Sequence, residues 1–472
     1  MLNYFNFKNA YHWLFLLLIC CIISFKWAAL SLPFFWDEAW VYMPAIRTMA
    51  EQGPSILPAS IQPDLYTGHP LLFYFLASSW IKIFGYSLFK AHLFPFLISI
   101  SLLLSIYFIV FKWTNSWFSA FFSVLLLAIQ PIFLAQSTFL LIEVWLALLF
   151  LWSFYFYFNH NWWGFSITMV LALWSKESAF CLVPAFIITA IIELLYKKIT
   201  PKVFIRTALG VVVLFSIGFS FFIIQKIKLG WLFFPRHANW ITMDDFFDKI
   251  DGSILIIFIK QGRIIIYMIT AILTIFGFVF LKNKIDKNHQ IKLLAFLVIT
   301  IGFMVFASIN FFSSRYLFAV FPLQMIGCAM LIGSMQKNVI KFAMLTAFGF
   351  LGLININNSI ENLNFADVDL NYTRLVNVQI SLCNYFENLQ PNERTYAPFL
   401  AFTNLTNPYA GFVQKSIKNI NSDIFDTTNV YYLRTSNETC KELDSMIDNK
   451  NIRLIKQFEN HQAKVEIFKK IH

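Results

Sequence analysis

Two adjacent carboxylates, Asp37 and Glu38, stand in the stretch FFWDEAWVYMPAIRTMAEQG at residues 34–53, just past the first long apolar run. A carboxylate in such a place can take a proton from an incoming hydroxyl or orient an attacking group. The plain alternative is that helix N-termini favour negative charge where water is near. Four more ionisable positions recur at the ends of apolar runs. Glu143 stands in STFLLIEVW, Lys176 and Glu177 in LALWSKESA, and Arg315, followed by Tyr316, in NFFSSRYLFAVFP. His69 closes a proline-rich loop, YTGHP at 66–70. Charged groups in or near hydrocarbon cost about 2.5–3.5 kcal/mol at a helix centre, so pairing or chemistry must retain them. Their plain readings are a structural partner for a buried cation (Glu143), snorkelling to head groups (Lys176), a local counter-ion (Glu177) and interfacial anchoring (Arg315). Taken together, carboxylates and cations collect at one end of the apolar runs. That pattern suits a site where Arg and Lys hold an anionic head group beside a carboxylate that activates a nucleophile, because the planar guanidinium fork binds phosphate in bidentate fashion.

The elements that must position these residues are membrane helices. The 472 residues are 58% hydrophobic and 13% charged, and 57 of them are Phe. Soluble domains carry roughly 25% charged residues. Apolar runs at 12–35, 91–111, 117–135, 139–158, 162–175, 179–195, 207–225, 262–281, 291–309, 316–334 and 338–356 predict eleven spans. The first run is read as an anchored helix, because it is long and lacks a small-x-small cleavage site. The net charge of +11 gathers in the joints between runs, at Lys197, Lys198, Lys202 and Arg206 or Lys282, Lys284 and Lys287. Positive-inside bias explains that placement, so no nucleic-acid partner is expected.

The fold class expected is an all-α polytopic membrane domain, residues 1–356, followed by a small mixed α/β soluble domain, residues 357–472. An outer loop over 36–68 leads into 69–84, a segment too short for a clear crossing. If 69–84 does not cross and Lys8 lies in the cytoplasm, the basic joints fall inside and the tail is exported. In the tail, the spacing of Leu375, Val378, Leu382, Phe386 and Leu389 predicts a helix over 374–389, ended by Pro391 and Asn392. Strands are expected near 397–402, 430–433 and 464–468, and no chemical constellation is visible there. Four cysteines (Cys20, Cys21, Cys181, Cys328) lie in apolar runs as packing residues. Cys383 and Cys440 are a candidate disulfide if the tail faces an oxidising compartment.

The ordered blocks WDEAWVY, GHPLLFYF at 68–75, AIQPIFLAQSTFLLIEVWLALLF at 128–150, LALWSKESA at 171–179 and SSRYLFAVFP at 313–322 give the chain a family likeness. It resembles the bacterial protein O-mannosyltransferase-like group of GT-C membrane glycosyltransferases, which includes the aminoarabinose transferases of lipid A. The resemblance covers the membrane domain, and the tail more weakly. It implies a polyprenyl-phosphate sugar donor and an acceptor met at the outer face of the cytoplasmic membrane. It implies Asp37 as the catalytic carboxylate with Glu38 completing the pair. Lys176, Arg315 and His69 would then bind the donor phosphate, with Glu143 and Tyr316 as supporting residues. His69 stands where relatives often have Lys, and neutral imidazole donates only one hydrogen bond. Glu143 stands where many carry Asp.

The expected reaction is inverting transfer of the sugar to a lipid, glycan or protein acceptor, with lipid A among the candidates. No particular cofactor is indicated, and the spacing leaves a divalent metal open. A lipid or glycan flippase is the alternative of a different class. Its key polar groups would lie near mid-membrane or in broken helices rather than at one rim.

Overall fold

The computed structural model describes residues 9–279, 285–335, 337–362, 365–389, 392–438 and 440–471. Lys8, Lys282, Lys284 and Pro391, all used in the sequence reading, lie outside the described residues.

Among the described residues, seven helices are long and apolar enough to cross a membrane: Ala10–Ser31, Leu88–Thr114, Glu177–Leu195, Pro201–Leu229, Lys287–Ile309, Ser314–Gly333 and Asn338–Glu361. An eighth forms if Phe246–Ile259 and Arg263–Gly277, bent by 67°, count as one broken span. The expectation of eleven is corrected. The runs at 117–135, 139–158 and 162–175 supply helices of only 12, 16 and 12 residues, Trp117–Ala128, Glu143–Phe158 and Trp162–Leu173. At 1.5 Å per residue, 12 residues rise about 18 Å, well short of roughly 30 Å of hydrocarbon. An apolar run therefore overstates a helix when it contains a break. Pro131 starts a separate short helix, Pro131–Gln136, immediately after the first of these. The 69–84 segment forms Leu72–Phe84, whose 13 residues are too few for a full crossing.

The loop after the first helix is folded. A π-turn at Glu38–Tyr42 runs directly into the helix Met43–Gln52, which packs against Leu72–Phe84.

The tail is a five-stranded sheet flanked by helices. Its strands are β1 (Arg394–Tyr396), β2 (Ile420–Asn421), β3 (Asn429–Thr435), β4 (Ile452–Asn460) and β5 (Ala463–Lys470), in the order β2-β1-β3-β5-β4. β1 pairs in parallel with β2 and β3, while β5 runs antiparallel to β3 and β4. The expected helix appears as Tyr372–Leu389 and packs on β4 and β5. The strands near 430–433 and 464–468 appear as β3 and β5. The one near 397–402 does not: Phe399–Thr406 is a helix, the ambiguity inherent in a short apolar run. β4 gives no signal in the sequence because its middle residues, Arg453 to Gln457, are exposed at a sheet edge and carry no buried alternation. Cys383 and Cys440 are free thiols, which corrects the disulfide expectation. Cys383 is buried in the main core, whereas Cys440 packs at a separate small cluster around Tyr396 and Tyr432.

One hydrophobic core runs from the first helix into the tail. Tyr372, at the start of the tail helix, accepts a hydrogen bond from buried Lys26 Nζ at 3.2 Å and packs its ring against Phe35 and Phe139. The Phe34 amide donates to the Ala410 carbonyl at 2.9 Å, and Trp40 meets Phe399 edge to face. The tail is thus fastened to the loop that carries Asp37.

Candidate active site

The two carboxylates of the first loop are separated by the turn that holds them. Glu38 is fully buried. Its Oε2 accepts the Phe35 amide at 3.2 Å, its Oε1 accepts the Leu140 amide, and His92 Nε2 stands 3.4 Å from Oε1. His92 is itself fixed against the Leu30 carbonyl at 3.2 Å. Glu38 therefore clamps the loop to the 139–142 segment and is not among the residues lining the cavity that Asp37 lines, so its expected share in a catalytic pair is not what its surroundings support. Trp36, just before, adopts φ 52°, a conformation that costs a non-glycine residue energy unless its surroundings enforce it. The outcome is to turn Asp37 the other way. Asp37 lines a cavity of about 540 Å³ with Trp36, Trp40, Tyr42 and Arg315.

Arg315 is the hub. It lies buried in the 3-10 turn Ser314–Val320 that precedes the helix Phe321–Gly333. Nη2 donates to Asp37 Oδ2 and Nη1 to Asp367 Oδ2, while Nε faces Glu143 Oε1 at 3.6 Å. The same Glu143 oxygen accepts Lys176 Nζ at 2.9 Å. Lys176 rests over the Tyr316 ring, 3.9 Å from its centroid. Glu143 opens its helix, Arg315 opens another, and Lys176 caps the turn Glu177–Cys181. Three helix ends distant in sequence thus bring the predicted groups together. Arg315 Nε, Glu143 Oε2 and the Tyr74 hydroxyl are buried there without a hydrogen bond within the protein. Native interiors rarely leave such atoms unpaired, and a polar ligand is one way to satisfy them.

His69 takes another partner. Its Nδ1 bonds Glu177 Oε2 at 2.8 Å, so Glu177 is more than a local counter-ion to Lys176. The His237 ring lies 5.2 Å from that of His69. Ligand atoms of His69, Glu177 and His237 all fall within 4.8 Å of one another. Burial, with the neighbouring His69, pushes the His237 imidazole down to about 4, which keeps it neutral as a metal ligand must be. Two imidazoles and a carboxylate fit a divalent ion such as zinc, with a fourth position open, once the side chains close in.

Two cavities meet here. Beside the cavity that Asp37 and Arg315 line is a more apolar one of about 200 Å³, walled by Phe180, Phe222, Phe303 and Phe306. His69, His237, Trp240 and Tyr316 line both, and Lys176 reaches only the apolar side. The arrangement can hold an anion between Arg315 and Lys176, with an apolar chain to one side and a water-facing carboxylate to the other.

Two residues of the site, Asp367 and His237, are absent from the sequence expectations. Asp367 comes from the tail, where no constellation is expected, and its main-chain carbonyl is held by Gln136 Nε2 at 2.7 Å. Burial raises its carboxyl above the usual range, with Arg315 opposing. The signal available is ADVDL at 366–370, two aspartates shortly after the last span.

Residues 68–220 match the family described as dolichyl-phosphate-mannose-protein mannosyltransferase. No curated protein matches the chain. Among solved structures, ArnT from Cupriavidus metallidurans bound to undecaprenyl phosphate is similar with a TM-score of 0.58 at 12% identity, over 97% of this chain and 98% of that one. The apo form of the same protein gives 0.53 at 12% identity over the same shares. The chain thus shares the fold of ArnT over nearly its whole length, and residues 68–220 carry the sequence pattern of the mannosyltransferase family.

Proposed function

We propose that this protein transfers a sugar from a polyprenyl-phosphate donor, with inversion, to an acceptor at the extracytoplasmic face of the cytoplasmic membrane. The observation that carries the reading is the Arg315 guanidinium. It is paired with Asp37 in a cavity that shares walls with a more apolar one. The solved ArnT bound to undecaprenyl phosphate has this fold.

The donor's isoprenoid chain lies among the phenylalanines and its phosphate between Arg315 and Lys176. Asp37 uses Oδ2 toward Arg315, which leaves Oδ1 to take the proton of the acceptor hydroxyl. The acceptor oxygen bonds to the anomeric carbon as the bond to the phosphate oxygen breaks on the opposite side. The phosphate departs with the electron pair as polyprenyl monophosphate, and Arg315 and Lys176 stabilise its growing charge. Phosphate is a good leaving group, so a second carboxylate acting as acid is not needed, in contrast to glycosidases. Glu143 keeps the two cations side by side, and Tyr316 supports Lys176 from below. His69, bonded to Glu177, shapes the junction of the cavities rather than carrying phosphate charge. His69, Glu177 and His237 would hold a divalent ion, which would supply positive charge beside that junction.

The acceptor is lipid A, a surface glycan or an exported protein, and the tail, which contributes Asp367 and Asn437 to the cavity lining, helps to present it. Membranes carrying the protein, given labelled donor, test the reading. Transfer with release of polyprenyl phosphate supports it. Movement of intact lipid across the bilayer without transfer supports a flippase instead, and mass analysis of lipid A and glycans from a strain lacking the protein identifies the acceptor.

A further inference from the structure

Arg315 carries more carboxylate than a phosphate-binding arginine can keep. Its two terminal nitrogens are both committed, one to Asp37 and one to Asp367, and its Nε faces Glu143. Within this cluster Arg315 and Lys176 oppose Asp37, Glu143 and Asp367, so the anions are already in excess. A donor phosphate would add another negative charge among groups largely shielded from solvent, where like charges repel more than they do in bulk water. One of the three carboxylates has to give up the guanidinium.

The structure distinguishes them. Glu143 is tied to Lys176 at 2.9 Å, and losing it would strand that cation. Asp37 projects from the turn that Glu38 clamps, and the reaction needs it where it is. Asp367 has neither tie. Arg315 is the hydrogen-bond partner of its carboxylate among the described residues. The main chain beneath it is fixed independently: Gln136 Nε2 holds the Asp367 carbonyl at 2.7 Å and Gln261 Nε2 holds the Val368 carbonyl at 3.0 Å. The side chain can therefore rotate toward the cavity, which it lines with Phe365, Ala366 and Val368, while the segment stays docked.

We infer that Asp367 is an anionic placeholder for the donor phosphate. It holds Arg315 aimed into the cavity while the donor is absent, and it yields Nη1 when the phosphate arrives. Nη2 keeps Asp37 in place throughout. Asp367 is a positioning residue supplied by the tail, so the soluble domain takes part in loading the donor site. This inference rests on the reading of Arg315 as donor-binding.

Its test is binding of a polyprenyl monophosphate probe to the full-length protein in detergent or nanodiscs, with Asp367→Asn and Asp367→Glu beside the wild type. Removing a competing anion of this kind shifts affinity by roughly five- to tenfold. D367N should therefore bind that much more tightly and show a lower donor KM, with kcat lowered by less than KM because Arg315 is less well aimed. D367E, which restores the anion, should return toward wild-type affinity. A structural role alone cannot produce tighter binding. Equal or weaker binding by a D367N protein that melts like the wild type overturns the inference while leaving the donor reading intact. Failure of wild type and D367N alike to bind the probe overturns the donor reading and this inference with it.

Discussion

Lys176 Nζ and Glu143 Oε1 pair at 2.9 Å in an interior where both side chains are almost wholly excluded from solvent. Breaking a buried pair by removing one charge costs about 3–5 kcal/mol, because the remaining charge is left without compensation. Glu143→Gln should lower the melting temperature and raise the donor KM at least tenfold. Glu143→Asp should recover part of both losses, since it restores the charge one methylene shorter. Thermal melting together with donor kinetics decides it, and unchanged stability in E143Q would show that Lys176 has another counter-ion.

Asp37 and Glu38 should separate in kinetics as they do in space. Asp37→Asn should lower kcat by roughly 10²–10⁴, the usual worth of a positioned base, with donor binding largely kept. Glu38→Gln loses the charge that two amides and His92 address. Its effect should fall on stability, by about 1–3 kcal/mol, and on kcat through misplaced Asp37. Near-normal turnover in D37N would remove Asp37 from the base role.

Arg315→Lys keeps the charge and discards the fork. A lysine ammonium is a point charge and cannot hold Asp37 and a second anion in fixed directions at once. The variant should fold, yet lose roughly 10²-fold in kcat/KM, in the range seen for removal of one transition-state donor. Steady-state transfer assays with labelled donor give the number.

Gly68 should tolerate no side chain. It has φ +73°, and a Cβ there would stand 2.7 Å from Phe234 Cβ and 3.3 Å from the Phe234 amide nitrogen. Gly68→Ala would force apart the two segments that bring His69 and His237 together. A loss of about 1–3 kcal/mol and reduced activity are expected, measured by melting and by transfer rate.

Much of the site is legible in the amino-acid order. Asp37, Glu143, Lys176 and Arg315 stand out because charge beside hydrocarbon is costly, so each contrasts with its apolar run. That signal gives identity and depth, and it is silent on partners. It does not show that Glu38 faces inward onto backbone amides while its neighbour faces the cavity. Nor does it show that Glu177 serves His69. Asp367 and His237 carry no such signal, because an aspartate or histidine in a polar segment costs nothing by itself. Apolar content also exceeds helix length at 117–135, 139–158 and 162–175, where breaks shorten the helices without lowering hydropathy.

The amino-acid order alone determined that this is a multi-span membrane protein with a mixed α/β tail, and that its chemistry belongs at helix ends. Those conclusions follow from local solvation, which each segment settles with lipid or water by itself. Only the tertiary structure decided which carboxylate meets which cation, that a residue of the tail grips Arg315, and that the cavity holding Asp37 shares walls with a more apolar one. Such pairings depend on close packing between segments far apart in the chain, and no local property of either segment encodes them.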